Sequence, residues 1–190
     1  VYLDGGRFNQ PFGDTVQFDL IPQAAIHGLS LLDASPIYGL NALGGAISLS
    51  TKTGVSDPGL EAGISRSRFG GTEASMAGGL ARGDFNMFAA VQYNRDKGWR
   101  AFSPSRLVNG YLDIGLDTEG GGLHIKAIGA KTTLTGNGVA PVELLAASHR
   151  AIFTAPDISK NRYGRISLHP WVALSQHSRL EGTLYAQTLK

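Results

Sequence analysis

The sequence of 190 residues contains no cysteine, which excludes disulfide frameworks and thiolate metal sites. It also lacks any run of about 18 strongly apolar residues, the length that a membrane-spanning helix needs. The uncharged segment 34–50 comes nearest, but Pro36 and three glycines interrupt it. The strands of a membrane barrel carry a much weaker hydropathy signal, so these absences still allow a membrane location.

The charge balance is almost even. Seventeen basic and 15 acidic residues give a formal net charge of +2. No basic cluster or stripe stands out along the chain, and we therefore expect no nucleic-acid partner.

Groupings typical of catalysis are also missing. The five histidines lack the spacing of metal ligands, and no cysteine accompanies them. Ser30, Ser35 and Ser48 lack the context of a nucleophile elbow. Asp14 and Asp19 are better explained as turn or cap groups than as an acid/base pair. We expect no enzyme activity, no cofactor and no metal site.

Glycine, by contrast, is abundant at 26 residues, about twice its usual share. Such an excess without collagen periodicity indicates many turns or close backbone approaches. In the first fifty residues these glycines separate short elements. The elements are a β-prone run at 1–3 closed by a turn at 4–6, a short helix opened by Asp19, a strand at 26–32, a helical turn at 36–43 ended by Gly44 and Gly45, and a strand at 46–51. The chain opens inside a strand-like run, so we expect a fragment of a longer protein.

Between these elements, residues 7–19 form a loop that contains Pro11, Gly13 and three aromatic residues. We expect its rings to be exposed or half-exposed.

From Gly59 onward the chain offers about seven segments of alternating polarity, near the length of roughly ten residues expected of tilted membrane strands. The clearest segment is 84–96. One of its faces carries Phe85, Met87, Ala89, Val91 and Tyr93, and the other carries Asn86, Phe88, Ala90, Gln92 and Asn94. Similar alternation occurs in 107–117, 121–131, 162–174 and 179–187. The apolar faces, which include Leu112, Leu123 and Leu168, rarely carry a charge, whereas the polar faces hold Lys126 and Arg165.

Apart from the first connection, a tight turn at 69–72, the connections between these segments alternate in length. Those at 82–84, 117–121 and 175–178 are short, whereas those at 96–106 and 135–160 are long. Short turns on one side and long loops on the other are typical of membrane barrels, where the long loops face the outside of the cell. Within the longest loop, 142–149 could form a helical turn.

Residues 36–54 carry a resemblance to a known family. With Tyr38, Gly39, Asn41, Gly44 and Gly45, this stretch resembles the closing motif of the plug domain of TonB-dependent outer-membrane receptors. The order and spacing of the upstream elements also follow the second half of that plug. There are two departures: Gly6 stands where a β-branched residue is commoner, and residues 33–35 replace the usual approach to the tyrosine.

The resemblance implies a mainly β chain made of a small α+β plug segment followed by the antiparallel strands of an incomplete transmembrane β-barrel. Residues 1–54 would be the C-terminal part of the plug, and 55–190 the first strands of the barrel. The intact protein would import a scarce nutrient, such as a ferric siderophore-like chelate, across the outer membrane of a Gram-negative bacterium. Its partners would be that ligand, outer-membrane lipid, and TonB, which would bind a segment before residue 1.

Two groups of candidate binding residues follow from the resemblance. The plug loop would touch the substrate through polar groups and rings, namely Arg7, Phe8, Asn9, Gln10, Phe12 and Asp14. The extracellular loops would contribute Trp99, Arg100, Phe102, Asn137 and Glu143. Phe8 and Phe12 could instead pack the plug against the barrel wall, and Trp99 could belong to the interfacial aromatic belt.

Two other functions remain open at this stage. A passive porin-like channel would share the barrel but lack the plug-like first 54 residues. A soluble β-sandwich that binds a ligand would share the alternation but would turn its apolar face inward.

Overall fold

A computed structural model describes residues 1–10, 13–35, 44–68, 70–136, 138–155 and 157–190. The chain is mainly β. Its N-terminal part contains β1 (Tyr2–Leu3), β2 (Gly6–Arg7), β3 (Ile26–Leu32), β4 (Ala46–Thr51) and the 3-10 turns Phe18–Leu20 and Gln23–Ala25. The remainder contains β5 (Gly59–Arg66), β6 (Thr72–Arg82), β7 (Phe85–Asp96), β8 (Ser105–Asp117), β9 (Gly121–Thr135), α1 (Val142–Ala147), β10 (Ile158–Ser175), β11 (Ser178–Glu181) and β12 (Leu184–Leu189).

The four short N-terminal strands form one small sheet in the order β2-β1-β4-β3. β1 pairs with β4 in parallel, and the other pairs are antiparallel. The predicted strands at 26–32 and 46–51 are confirmed, whereas the helix predicted at Asp19 is only the 3-10 turn Phe18–Leu20. The helical turn expected at 36–43 lies outside the described residues.

Strands β5 to β12 form a second, large sheet. Each strand from β5 to β10 pairs antiparallel with the next, and β11 and β12 both pair with β10. In the described part of the chain this sheet does not close, so β5 lies at one edge and β11 and β12 at the other. An incomplete antiparallel sheet of this kind is the predicted fold class.

The last predicted strand, 179–187, is interrupted at residues 182–183. β11 and β12 keep one register along β10, with Glu181 opposite Trp171 and Leu184 opposite Leu168. The interruption lies beside Pro170, which has no N–H to donate to the ladder. Gly182 N still donates to Pro170 O at 3.0 Å.

The two ends of the large sheet differ in their connections. Residues 83–84, 118–120 and 176–177 make short turns at one end, the short-turn end. The loops 97–104 and 136–157 lie at the other, the long-loop end, together with the short connection between β5 and β6, which is the exception to the alternating lengths. β9 and β10 run four residues further toward that end than expected, which shortens the longest loop. Among the described residues no helix has the length and apolar character needed to cross a membrane.

Candidate functional site

The two faces of the large sheet have opposite character, and the N-terminal residues cover the polar one. Lys126 and Arg165 are only 9% and 5% exposed on that inner face. Leu112, Leu123 and Leu168 are 37–38% exposed on the outer face. A soluble sandwich built from these strands would bury the leucines instead. The space between the N-terminal residues and the inner face is therefore a polar interior, and it is the candidate site.

At the centre of this interior, Lys126 of β9 joins the two sheets. Its Nζ donates to Thr51 Oγ1 at 2.9 Å and lies 3.2 Å from Asp4 Oδ2. Asp4 also accepts hydrogen bonds from Thr51 N at 2.9 Å and Thr51 Oγ1 at 2.7 Å. The Tyr111 hydroxyl of β8 lies 2.8 Å from Thr51 Oγ1 and 3.0 Å from Lys52 O. A buried charge pair with its hydrogen bonds satisfied thus fixes the end of β4 to the wall of the large sheet.

A second buried cation, Arg165 of β10, holds β2. Its Nη1 donates to Arg7 O at 3.1 Å and to Gln187 Oε1 at 2.8 Å. Its guanidinium carbon lies 4.1 Å from the centre of the Tyr185 ring, within the range of a cation–π contact. Within the described residues Arg165 forms no ion pair, and its buried Nη2 has no hydrogen-bond partner. The two oxygens at Nη1 and the ring therefore compensate its charge only in part.

The same side chains crowd position 6, where the chain has glycine. A Cβ there would collide with Arg165 Nη2 and lie 2.9 Å from Tyr185 Cδ1. The β-branched residue that is commoner in the resembling family would require the Arg165 and Tyr185 side chains to move. The departure noted in the sequence is therefore matched by side chains that lie about 160 residues further on.

The expectation of exposed rings in residues 7–19 is wrong for Phe8. Its side chain is 4% exposed and meets Tyr163 edge-on, with the ring centres 5.9 Å apart at 81°. Burying an aromatic ring against the wall stabilises the interface through both apolar area and edge-to-face geometry. Phe8 thus packs the N-terminal residues against the large sheet, which was the alternative reading of this ring.

The other residues predicted for this loop differ in exposure, and Gln10 Nε2 is buried without a hydrogen-bond partner among the described residues. Arg7 and Asp14 form an exposed ion pair at 2.6 Å, and Asn9 Nδ2 donates to Asp14 O at 3.2 Å. Gln10 N donates to Thr15 O at 2.9 Å. Phe12 lies outside the described residues. These contacts give the loop a defined shape and leave the Arg7 and Asp14 charges accessible.

At the long-loop end, the loops 97–104 and 136–157 are bound to each other. Arg150 Nε donates to Trp99 O at 3.0 Å, and Ala101 N donates to Arg150 O at 2.8 Å. Arg100 lies over the Trp99 ring, 5.0 Å from its centre, and Phe102 is exposed. These residues line a surface cavity of about 660 Å³. Of the other two loop residues predicted, Glu143 is exposed in the first turn of α1, and Asn137 lies outside the described residues.

A larger cavity of about 880 Å³ opens in the interior on the side of the short turns. Its lining includes Asp4, Lys126, His124, His169 and Thr183. His124 lies between two carboxylates, 3.0 Å from Asp113 and 2.9 Å from Asp117. The lining therefore carries fixed charges of both signs, which suits a water-filled space.

Few residues of the proposed closing motif can be placed. Gly45 has a φ of +121°, and a Cβ there would lie 2.6 Å from Leu32 O, so this position requires glycine. Gly44 has open space around it. Tyr38, Gly39 and Asn41 lie outside the described residues.

The segment between the two sheets has its own polar contacts. His27 Nδ1 lies 2.9 Å from Asp57 Oδ2, and Ser56 Oγ donates to the same oxygen at 2.7 Å. Burial by itself would raise the pKa of Asp57. The hydrogen bonds from Ser56 and His27 and the charge of Lys52 outweigh it and hold that pKa below its usual value. At Gly54 a Cβ would collide with Leu80 O, so the chain runs directly against the β6–β7 hairpin.

Sequence reasoning missed the residues that join the two sheets. Asp4 looked like a turn residue, and Thr51 and Tyr111 looked like ordinary strand residues. Only the polar face of β9 and β10 gave a signal, through Lys126 and Arg165.

Solved structures with the same architecture are known. This chain superimposes on the siderophore receptor PiuA from Acinetobacter baumannii with a TM-score of 0.75 and 12% identity, over 98% of this chain and 28% of PiuA. It superimposes on the ferric-catecholate import receptor Fiu from E. coli K12, closed form, with a TM-score of 0.79 and 14% identity, over 99% of this chain and 29% of Fiu.

No family model matches the sequence, and no curated protein does. The chain spans less than a third of the length of either receptor. The fold implied by the sequence resemblance is nevertheless confirmed, because both structures cover nearly all of this chain. The chain has the fold of a segment of these two receptors.

Proposed function

We propose that this chain belongs to a TonB-dependent importer that carries a ferric siderophore-like chelate across the outer membrane. Residues 1–54 would be the C-terminal part of its plug, and 55–190 the first strands of its barrel. The observation that supports this most strongly is the inverted burial of the large sheet, whose polar face is covered while its apolar face stays exposed. The names of the two structural neighbours, both receptors, support a transport function rather than an enzymatic one.

The outer face has dimensions that suit a membrane. On β7 the apolar outer positions run from Phe85 to Tyr93. Eight residue steps at about 3.4 Å make roughly 27 Å along the strand. A tilt of about 40° reduces this to roughly 20 Å along the membrane normal, close to the apolar band of about 25 Å in outer-membrane barrels. We therefore assign the outer face to lipid and the long-loop end to the outside of the cell.

The interior supports an energised mechanism over a passive pore. The Asp4–Thr51–Lys126 contacts and the Arg165–Arg7 contact fix the N-terminal residues to the wall. A ligand can pass only when such contacts break or when the plug moves as a unit. Work delivered through TonB, which would act on a segment outside this chain, would supply that free energy.

Ligand capture would take place toward the long-loop end. Arg7, Asn9, Gln10 and Asp14 would present hydrogen-bonding groups from the plug, and Phe12 would present its ring. Trp99, Arg100, Phe102, Asn137 and Glu143 would approach from the loops. Phe8 would hold the plug loop against Tyr163, because its ring is buried there.

Uptake of a radiolabelled ferric siderophore by cells that lack other siderophore receptors tests this function. Expression of the intact protein should restore uptake in a strain with TonB and not in one without it. A liposome-swelling assay on the same protein separates the porin-like alternative, because a plugged barrel should admit no small sugars. Sugar permeation together with TonB-independent uptake would overturn the proposal.

A further inference from the structure

Six basic residues meet on the outer face of the large sheet at its long-loop end. Residues paired directly across strands lie on the same face, and one such row runs Arg66, Thr72, Arg95, Arg106, Thr133 and Lys160. In the next row toward the short-turn end, Lys131 and Arg162 are paired. We name the six exposed cations Arg66, Arg95, Arg106, Lys131, Lys160 and Arg162 the basic band.

The cations of the basic band repel one another across neighbouring strands. Arg95 lies directly opposite Arg106, and Lys131 directly opposite Arg162. Like charges at such positions destabilise a sheet. Within the described residues none of the six cations forms an ion pair, and the only ring contact is Arg106 over Tyr93, at 5.4 Å. Folding alone therefore gives no reason for this arrangement, whereas a bound anion would.

The position of the basic band indicates which kind of anion it would bind. It borders the apolar outer face directly, because the rows beyond it contain Val91, Leu112 and Ile166, all on the same side of the sheet. A ligand that contacts both surfaces must join negative charge to an apolar body. Arginine pairs match phosphate oxygens in a bidentate manner, and Thr72 and Thr133 add hydroxyl donors in the same row.

We propose that the basic band binds the phosphate groups of lipid headgroups in the leaflet on the long-loop side of the membrane. The inference rests on the membrane orientation assigned under the proposed function. The row from Arg66 to Lys160 crosses five strand spacings of about 4.8 Å, or roughly 24 Å. That width lets one headgroup with two phosphates, or two neighbouring headgroups, contact several of the six cations at once.

Native mass spectrometry of the intact protein in a neutral detergent tests the proposal, with diphosphoryl lipid A as the probe and phosphatidylcholine as the zwitterionic comparison. The wild type should retain lipid A selectively. R95Q/R106Q should weaken its binding about 25-fold, since each cation near a charged lipid surface contributes about a factor of five. The same substitution should leave the melting temperature unchanged or raise it, because it removes a like-charge pair.

Arg82 provides the matched control. It is exposed on the same outer face but lies at the short-turn end, opposite Phe85. R82Q should bind lipid A like the wild type. Equal binding by R95Q/R106Q and the wild type, or an equal loss in R82Q, would overturn the proposal. So would displacement of lipid A by millimolar inorganic phosphate, because the site would then bind free anions rather than lipid.

The lipid A binding experiment and the siderophore uptake assay can fail independently of each other. If uptake of the ferric siderophore is TonB-dependent but lipid A binding is unselective, the import function stands and the basic band does not bind lipid. If lipid A binds selectively but uptake fails, the basic band stands and the import function falls.

Discussion

Replacing Lys126 by methionine is the most direct test of how the two sheets are joined. The side chains of Lys126 and Asp4 are only 11% and 13% exposed, with 3.2 Å between Nζ and Oδ2. Removing one partner of a buried pair destabilises by about 3–5 kcal/mol when the other charge is left uncompensated. Asp4 keeps two hydrogen bonds from Thr51, at 2.9 and 2.7 Å. We therefore expect a smaller loss, about 2–3 kcal/mol.

The loss should appear as easier separation of the N-terminal residues from the wall. Ala25 is fully buried, and the chain has no cysteine of its own, so a cysteine at Ala25 reports separation by its labelling in urea. K126M should lower the urea midpoint of labelling. The double variant D4N/K126M should lose less than the sum of the two single variants, because the two side chains interact directly.

Lys131 supplies the control, since it has the same chemistry on the same strand but is exposed on the outer face. K131M should leave the midpoint of labelling unchanged. Equal shifts in K126M and K131M would refute the reasoning, because the effect would then come from net charge rather than from the buried pair.

Three further variants test other parts of the structure. Gly6→Val should destabilise by about 1–3 kcal/mol through overpacking against Arg165, measured by the same labelling, and G6V/R165A should recover part of that loss. If the outer face meets lipid as proposed, Leu112→Arg should reduce the folded, heat-modifiable fraction in membranes, since an arginine near the middle of a lipid-facing band costs about 2–4 kcal/mol. Because the pKa of Asp57 is lowered in the folded state, its contribution is present above its unfolded pKa and is lost as pH falls through the lowered value. D57N should therefore be less stable than the wild type at neutral pH, and the difference in thermal unfolding should vanish in acid.

The strands could be predicted from the sequence because each face of this sheet meets a single environment. Alternation over 84–96 reproduces β7 to within one residue, and the faces of β8 to β10 are also correct. The extra residues of β9 could not be foreseen, because Thr132 to Thr135 show no clear alternation of polarity. Their strand conformation comes from pairing with 158–161 of β10.

The contacts of the interior were harder to predict because they join residues far apart in sequence. Gly6 and Arg165 are an example, since nothing near Gly6 shows that a guanidinium occupies the space of its missing Cβ. Phe8 is another, because its partner Tyr163 lies on β10. The interruption between β11 and β12 likewise lies opposite a proline on the neighbouring strand.

The register of β9 connects the interior with the basic band. Lys126 and Lys131 are five residues apart, an odd number, so an unbroken strand must place them on opposite faces. Lys126 is held inside by Asp4 and Thr51, and Lys131 is thereby placed outside, opposite Arg162. A slip of one residue would turn Ile125 and Ala127 into the polar interior and Lys126 toward the apolar surroundings, at a cost on both faces. The buried Lys126–Asp4 pair thus also fixes which cations the outer face presents, and the destabilising Lys131–Arg162 pairing persists because a slip of one residue would cost more.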